Sequence, residues 1–421
     1  MSFLFFVAKQ NLERRSHMST SLLYHGFGLV GYKYVRTRYE NGAIIFKVRQ
    51  NPFDIRCPNC QSKRFVFRGK KMRRFRSIPI GSKPVFIEFE VPRIMCLVCK
   101  VIRQVNISFA EKRRTFTKAF ERYVLGLSRF MTIFDISKHL KTSWGMIKDI
   151  QKRYLSKKFS RPSLQQIERI AIDEISIGKG HKYLTVVLNL TTGAVIFVGE
   201  GKGSDALIPF WRRIKRIKSK IKAVAIDMSP AYIAAVFENL PKAAIVFDPF
   251  HVVKYFNDKL SDFRRSLFNH LQDNDEKQIL KGTRWLLLKN PENLNIQKGE
   301  EDRLKQALEL NKPLATAYYL KEELRQFWKQ PDKNAADTYI QQWIKTAALT
   351  KIPMLQKFAK TVAGHKFGIL NFYDHPISTG PLEGTNNKIK TLQKQAYGFR
   401  DHEFFKLKIC GLHQTKYALI G

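Results

Sequence analysis

Polar and apolar residues alternate through GYKYVRTRYENGAIIFKVRQ, residues 31–50, with Glu40-Asn41-Gly42 at the centre. Period-two alternation about Asn-Gly predicts a β-hairpin, because the tight turn needs left-handed backbone that these two residues tolerate. VFIEFEVPRI continues the strand pattern, and from Phe116 to Leu155 the spacing turns helical in FTKAFERYVLGL, TIFDISKHL and SWGMIKDIQKRYL. The last two segments are joined by Lys141-Thr142-Ser143, a break of helix-turn-helix proportions with Thr142 or Ser143 as cap. On the third helix Trp144, Lys148, Lys152 and Arg153 are the residues expected to face DNA.

Beyond Arg161-Pro162-Ser163 the pattern changes again. IERIAIDEISIG reads as a strand, and KYLTVVLNL and AVIFVGEG as two more about the turn Thr191-Thr192-Gly193. DALIPFWRRIKRIKSK is an amphipathic helix, IKAVAID a strand, PAYIAAVFENLP a helix opened by Pro230, and AAIVFDPFHVVKYF a strand running into a helix. Three antiparallel strands, helix, strand, helix, strand is the element order of a ribonuclease H-like domain, a mixed sheet flanked by helices. From about Phe256 to Tyr373 the sequence is helical, charged and aromatic, which predicts an all-helical insertion before the chain returns with GPLEGTNNKIKTLQKQAYGF. The expected architecture is multidomain α+β and α/β. Residues 1–17 form a possible N-terminal extension before an alternative start at Met18. A β-rich zinc-binding module follows at 18–110, a helix-turn-helix module at 111–160, the catalytic domain at 165–255 and 374–421, and the insertion at 256–373.

Charge narrows the partner. Lys and Arg number 75 against 35 Asp and Glu, a net charge of +40, and the excess recurs in KKMRRFR, EKRRTFTK, WRRIKRIKSKIK and NKIKTLQK. A surplus spread along the whole chain points to nucleic acid. No apolar run reaches the roughly 20 residues of a membrane helix, and MSFLFFVAK lacks the basic start of a secretory signal. A cytoplasmic, nucleoid-associated protein with no membrane partner is expected.

Four of the five cysteines form two pairs, Cys57-Pro-Asn-Cys60 and Cys96-Leu-Val-Cys99. Two C-x-x-C knuckles match tetrahedral structural Zn2+. Their separation exceeds the usual ribbon spacing, so a hairpin between them is required. Cys410, in KLKICGLH, reads as core.

Three acids stand in apolar or glycine-containing frames: Asp173 in RIAIDEIS, Asp227 in AVAIDMSP and Glu383 in GPLEGTNNKIK. Carboxylates at strand ends are hard oxygen ligands, and three of them can hold two Mg2+ (or Mn2+) ions against a phosphodiester. Asp173 is expected to bridge the ions, with Asp227 on the first and Glu383 on the second. Glu174 should point to the other side of its strand. Four and seven positions beyond Glu383, Asn387 and Lys390 share its helix face, and His251 follows the fifth strand close to the same edge.

These residues resemble the DDE transposases of bacterial insertion sequences, specifically the ISL-three group, which joins a zinc finger, a helix-turn-helix and a ribonuclease H-like catalytic domain. The likeness runs from Met18 through CPNC, CLVC, the helical segment, AIDE, AIDMSPAY, FDPFHV, GPLEGTNNKIK and YGFR. It implies that Asp173, Asp227 and Glu383 are the catalytic triad, that Asp248 and His251 match a D-x-x-H signature, and that Lys390 matches a basic position after the glutamate. It also implies double-stranded DNA partners, the terminal inverted repeats and a target duplex, with two or more protomers assembled on the ends. The alternatives are a ribonuclease H-like nuclease that does not join strands, and a zinc-dependent DNA-binding regulator with a vestigial catalytic domain.

Overall fold

A computed structural model describes residues 22–178, 180–217 and 220–413, so the possible extension at 1–17 lies outside the described residues. The described residues fall into two compact units, one ending at Lys158 and the other beginning at Phe159.

In the first unit a single helical turn, α1 (Leu22–His25), precedes the hairpin of β1 (Tyr32–Glu40) and β2 (Ala43–Gln50). Asn41 and Gly42 carry φ of 49° and 73°, so the Asn-Gly pair makes the turn its residue types favour. β3 (Phe65–Ile80) and β4 (Lys83–Cys96) form a long antiparallel hairpin, with β4 parallel to β2 and β5 (Ile102–Gln104) pairing with it as well. That hairpin is what the cysteine spacing required, since it sets Cys96 opposite Phe65, shortly after the first cysteine pair. Phe75, Ile87, Phe89 and Phe109 anchor the core beneath the sheet.

The helical segment forms α2 (Lys118–Leu127), α3 (Ile133–His139) and α4 (Trp144–Phe159). Local chemistry fixes their starts. Thr117 caps α2, Thr132 and Asp135 cap α3 reciprocally, and Ser143 Oγ accepts from the Met146 N–H at 3.2 Å where α4 begins.

The second unit is built on a sheet of order β10-β9-β6-β7-β8. β6 (Arg169–Gly178), β7 (Lys182–Asn189) and β8 (Val195–Glu200) are consecutive antiparallel neighbours. β9 (Ala223–Ile226) and β10 (Ala244–Phe247) run parallel to β6. A short 3-10 stretch, Ser204–Leu207, leads into α5 (Ile208–Ile217), so the helix read from DALIPF starts later than its sequence pattern suggests. α6 (Pro230–Asn239) separates β9 from β10, and α7 (Pro249–His270) follows β10.

Between α7 and residue 379 the described chain is helical: α8 (Asn274–Leu280), α9 (Arg284–Leu288), α10 (Glu300–Leu310), α11 (Lys312–Gln326), α12 (Lys333–Leu349) and α13 (Pro353–Asp374). Then α14 (Gly380–Gln395) and α15 (His402–Gly411) complete the described unit. Alternation along the strands sends Ile170, Ile172, Val224, Ile226 and Phe247 into one core, shared with α5, α6, α7 and the helical segment. Ala171, Ile175, Ala223, Ala225 and Val246 face a second core closed by Leu382, Ile389 and Leu392 of α14 and Phe405 and Ile409 of α15. The sheet is therefore buried on both faces, which is why its strands read as nearly continuous apolar runs. Phe247 lays its ring against Gly368 of α13, where any added side chain would collide with it.

Candidate functional site

Asp173 lies on β6 and Asp227 directly follows β9. The parallel register pairs Arg169 with Ala223 and Ala171 with Ala225, and carried two residues further it sets Asp173 beside Asp227. Adjacent strands lie about 4.8 Å apart, and in-register parallel residues point to the same face. Both aspartates share the parity of the residues packed under α14. Glu174 has the opposite parity and accepts from Tyr232 Oη at 2.7 Å on the other side of the sheet, as its place on the strand predicted.

Asp248 caps α7 one residue past β10, on the α14 face with the aspartates. It is 1% exposed, and both its oxygens are engaged: one accepts from the Phe250 N–H at 2.7 Å, the other from Thr379 Oγ1 at 2.8 Å and from the Thr379 N–H. Thr379 immediately precedes α14, and the Glu383 N–H donates to its carbonyl at 2.9 Å. Asp248 is thus an internal clip that fixes where Glu383's helix starts, out of reach of DNA.

Glu383 lies exposed in the first turn of α14. Three residues on, buried Asn386 donates its amide to Asp173 Oδ2 at 2.9 Å, which puts the start of α14 over the aspartate pair. Among the described residues the Cys57, Cys60, Cys96 and Cys99 group alone brings three or more His, Cys, Asp or Glu ligand atoms within 4.8 Å of one another. Asp173, Asp227 and Glu383 are not gathered into such a group. An arrangement with two ions about 4 Å apart does not need them to be, since residues held by different ions stay separated.

Burial pushes the Asp173 carboxyl above the ordinary aspartate value, and the Asp227 and Glu174 charges add to the push. A backbone hydrogen bond from Glu174 and the nearby His251 oppose it. Such a desolvated aspartate facing another acid favours a cation. Asn386 Oδ1 is also buried with no donor among the described residues, a further oxygen at the same place. Both observations fit a divalent-metal site. From Asp227 a cleft of about 390 Å³ runs past Ser229, His251, Lys254, Tyr255, Thr361 and His365. Asn387 and Lys390 are exposed on α14, as Glu383 is.

Sequence reasoning missed Asn386 and Thr379. Asn386 stands three residues from Glu383, and that spacing shares a helix face as well as a spacing of four does. Thr379 carried no signal, because its role depends on where Asp248 ends up.

In the first unit the Cys57 and Cys99 sulfurs are 3.6 Å apart and those of Cys60 and Cys96 3.4 Å. Zinc–sulfur bonds of about 2.3 Å set the corners of a tetrahedron about 3.8 Å apart, so the four thiolates suit one zinc. A backbone hydrogen bond from Val101 holds the Cys99 thiol down to about 6, and one from the Cys99 backbone lowers Cys96. Both therefore favour the ligating thiolate. Gln61 and Lys100, each directly after the second cysteine of its pair, have φ of 59° and 56°, so the two knuckles turn alike. Cys410 packs against the second core, its thiol pushed up to about 11 by burial.

On α4, Trp144 is 49% exposed, with the Lys148 ammonium 5.4 Å from its ring centroid. Lys152 is half-buried. Arg153 lies 3.8 Å from Glu121 of α2, with Nη1 buried. It stands one residue past the 144, 148, 152 row, and that step turns it toward the bundle.

A cysteine-built zinc site, a helix-turn-helix and an α/β unit with acids at its strand ends together describe a DNA-processing protein. A transposase family model matches residues 170–409, a model of the zinc-finger of transposase IS204/IS1001/IS1096/IS1165 matches 54–99, and one for the helix-turn-helix domain of transposase family ISL3 matches 105–155. The chain is 32% identical over 356 residues to the transposase for insertion sequence element IS1001 of Bordetella parapertussis, covering 84% of this chain and 87% of that one. It is 28% identical over 390 residues to the transposase for IS1557 of Mycobacterium tuberculosis, covering 86% of each. Comparison of structures returns the Drosophila P element transposase strand transfer complex at TM-score 0.36 and 9% identity, over 71% of this chain and 93% of that one. The chain belongs to the ISL3 family of transposases. It acts in DNA transposition as a DNA-cleaving and strand-transferring enzyme, with a DNA-binding helix-turn-helix and a structural zinc site. Among the described residues no helix is long and apolar enough to cross a membrane.

Proposed function

We propose that this transposase works through a DDE triad of Asp173, Asp227 and Glu383 on a ribonuclease H-like domain, interrupted by a helical insertion at residues 256–373. The observation that carries the reading is the parallel register of β6 and β9, which leads toward Asp173 and Asp227 side by side, with Asn386 of Glu383's helix bonded to Asp173. The sheet order, with its first three strands antiparallel and the last two parallel to the first, supports the ribonuclease H-like assignment.

Asp173 and Asp227 would hold Mg2+ (or Mn2+) together, and Glu383 would complete the site from α14. Ions held there would supply Lewis-acid activation of a water or a 3′-hydroxyl and would neutralise charge on the scissile phosphate. Asn386 keeps Asp173 oriented, and Asp248, through Thr379, holds the start of α14 in place. His251 and Lys254 line the cleft beside Asp227, where they can contact DNA flanking the cut. Lys390, one helical face with Glu383, reaches a neighbouring phosphate, and Asn387 lies beside it. Terminal inverted repeats are the recognised ends, read by α4 and the zinc module. Pairing two ends calls for at least a dimer on DNA.

The test is strand transfer of an end-bearing duplex into target DNA with Mg2+. Joined product from wild type, lost in Asp227→Asn and Glu383→Gln while end binding persists, supports the triad. Cleavage with no joined product in wild type would move the reading to a nuclease.

A further inference from the structure

A recess in the first unit, about 1000 Å³, is lined by six cations: Lys71, Arg73, Arg103, Lys112, Arg113 and Lys118. Glu111 is the one acid lining it, and it pairs with Lys118 at 3.4 Å. No carboxylate among the described residues pairs with Lys71, Arg103, Lys112 or Arg113, all of them exposed. Unpaired like charges gathered in a concave wall repel one another, so the arrangement lacks its counter-charge.

Hydrogen bonds tie the loop before α2 to the sheet. Arg73 donates to the Arg114 carbonyl at 2.7 Å, and the Arg76 N–H to that of Thr115 at 2.8 Å. The Thr117 and Lys118 N–H groups donate to Arg76 and Phe109 carbonyls, each at 2.8 Å. Within this pinned loop Arg113 sits at φ 62°, a left-handed conformation that non-glycine residues seldom adopt. Pro58 and Asn59, between two of the zinc-site cysteines, form part of the opposite wall. The recess is therefore shaped jointly by the zinc knuckle, β3, β5 and the loop before α2.

We propose that this groove is a binding track for the phosphate backbone of duplex DNA, separate from α4 and blind to sequence. It rests on the DNA-binding role of the family and assigns the share of affinity that positions the module without reading bases. A row of cations on a hydrogen-bonded backbone gives several phosphate contacts at low ordering cost.

The experiment uses the full-length chain carrying Lys71→Gln, Arg103→Gln, Lys112→Gln and Arg113→Asn together, the last because Asn tolerates left-handed backbone. Affinity is measured from low to moderate salt for a random-sequence duplex and for a duplex bearing the element's terminal repeats. Each lost phosphate contact removes about 0.9 from the slope of log affinity against log salt, so a fall of about 2 to 3.5 is expected on both duplexes. The preference for terminal repeats should be unchanged. An unaltered slope, or a loss confined to the terminal-repeat duplex, overturns the proposal. Wild type that binds neither duplex would refute DNA binding by the family reading itself. Zinc content and the thermal midpoint report folding, and if the fourfold variant loses zinc, Arg103→Glu alone must still lower the slope by about 1.

Discussion

Asn386 and Asp173 are 213 residues apart in the chain, yet the Asn386 amide donates to Asp173 Oδ2 at 2.9 Å. The bond joins the helix that begins with Glu383 to the strand that carries the buried aspartate. Replacing Asn386 by Ala should lower strand transfer by about 10- to 100-fold, the usual cost of losing a residue that orients a ligand. Terminal-repeat binding should hold, and an activity within twofold of wild type would show that the contact is incidental.

The raised pKa of Asp173 has a stability consequence. Its folded value lies above the unfolded aspartate value of 3.8, so the fold binds its proton more tightly than the unfolded chain does. That contribution is present below the unfolded value and is lost as pH rises through the folded one. Metal-free Asp173→Asn should therefore melt higher than wild type near neutral pH, and the difference should shrink toward pH 4, as site acids trade stability for function. Melting curves of both proteins across pH, in chelator, check it; a variant that melts lower at neutral pH contradicts it.

Much of this was legible in the sequence. The Asn41-Gly42 hairpin, the strand order from Arg169 to Phe247 and the four-cysteine site follow from residue type and period, because each depends on local chemistry. The parity of Asp173 and Glu174 followed from the pleat alone. What sequence could not supply was contact across long separations. Asp248 matched a D-x-x-H signature, but that its oxygens meet Thr379 is decided by how the chain folds back over a separation of 131 positions.

Asp248→Ala removes the acceptor for three donors and leaves the Thr379 N–H and hydroxyl unpaired in a buried place. A loss of about 3 kcal/mol is expected, since hydrogen bonds to a buried charge are costly to break. Strand transfer should fall with it, because the start of α14 loses its anchor. Denaturant melts that match wild type would remove the clip from the account.

The zinc site should hold one ion per chain through Cys57, Cys60, Cys96 and Cys99. Cys99→Ser, or prolonged chelation, should release the metal and abolish binding to terminal repeats, because the metal's binding free energy, about 10 kcal/mol or more, is folding free energy for such a module. Metal analysis beside a gel-shift assay decides this. Full binding by zinc-free protein is the adverse result.

Direct metal ligation by the acids is tested most sharply by strand transfer with Asp173→Cys. A thiolate is a poor ligand for Mg2+ and a better one for softer Mn2+. Joined product should vanish in Mg2+ and return in part with Mn2+, while Asp173→Ala stays inactive in both. If Asp173→Cys transfers strands in Mg2+ as well as wild type does, Asp173 holds no metal, and the catalytic role given to the paired aspartates is wrong.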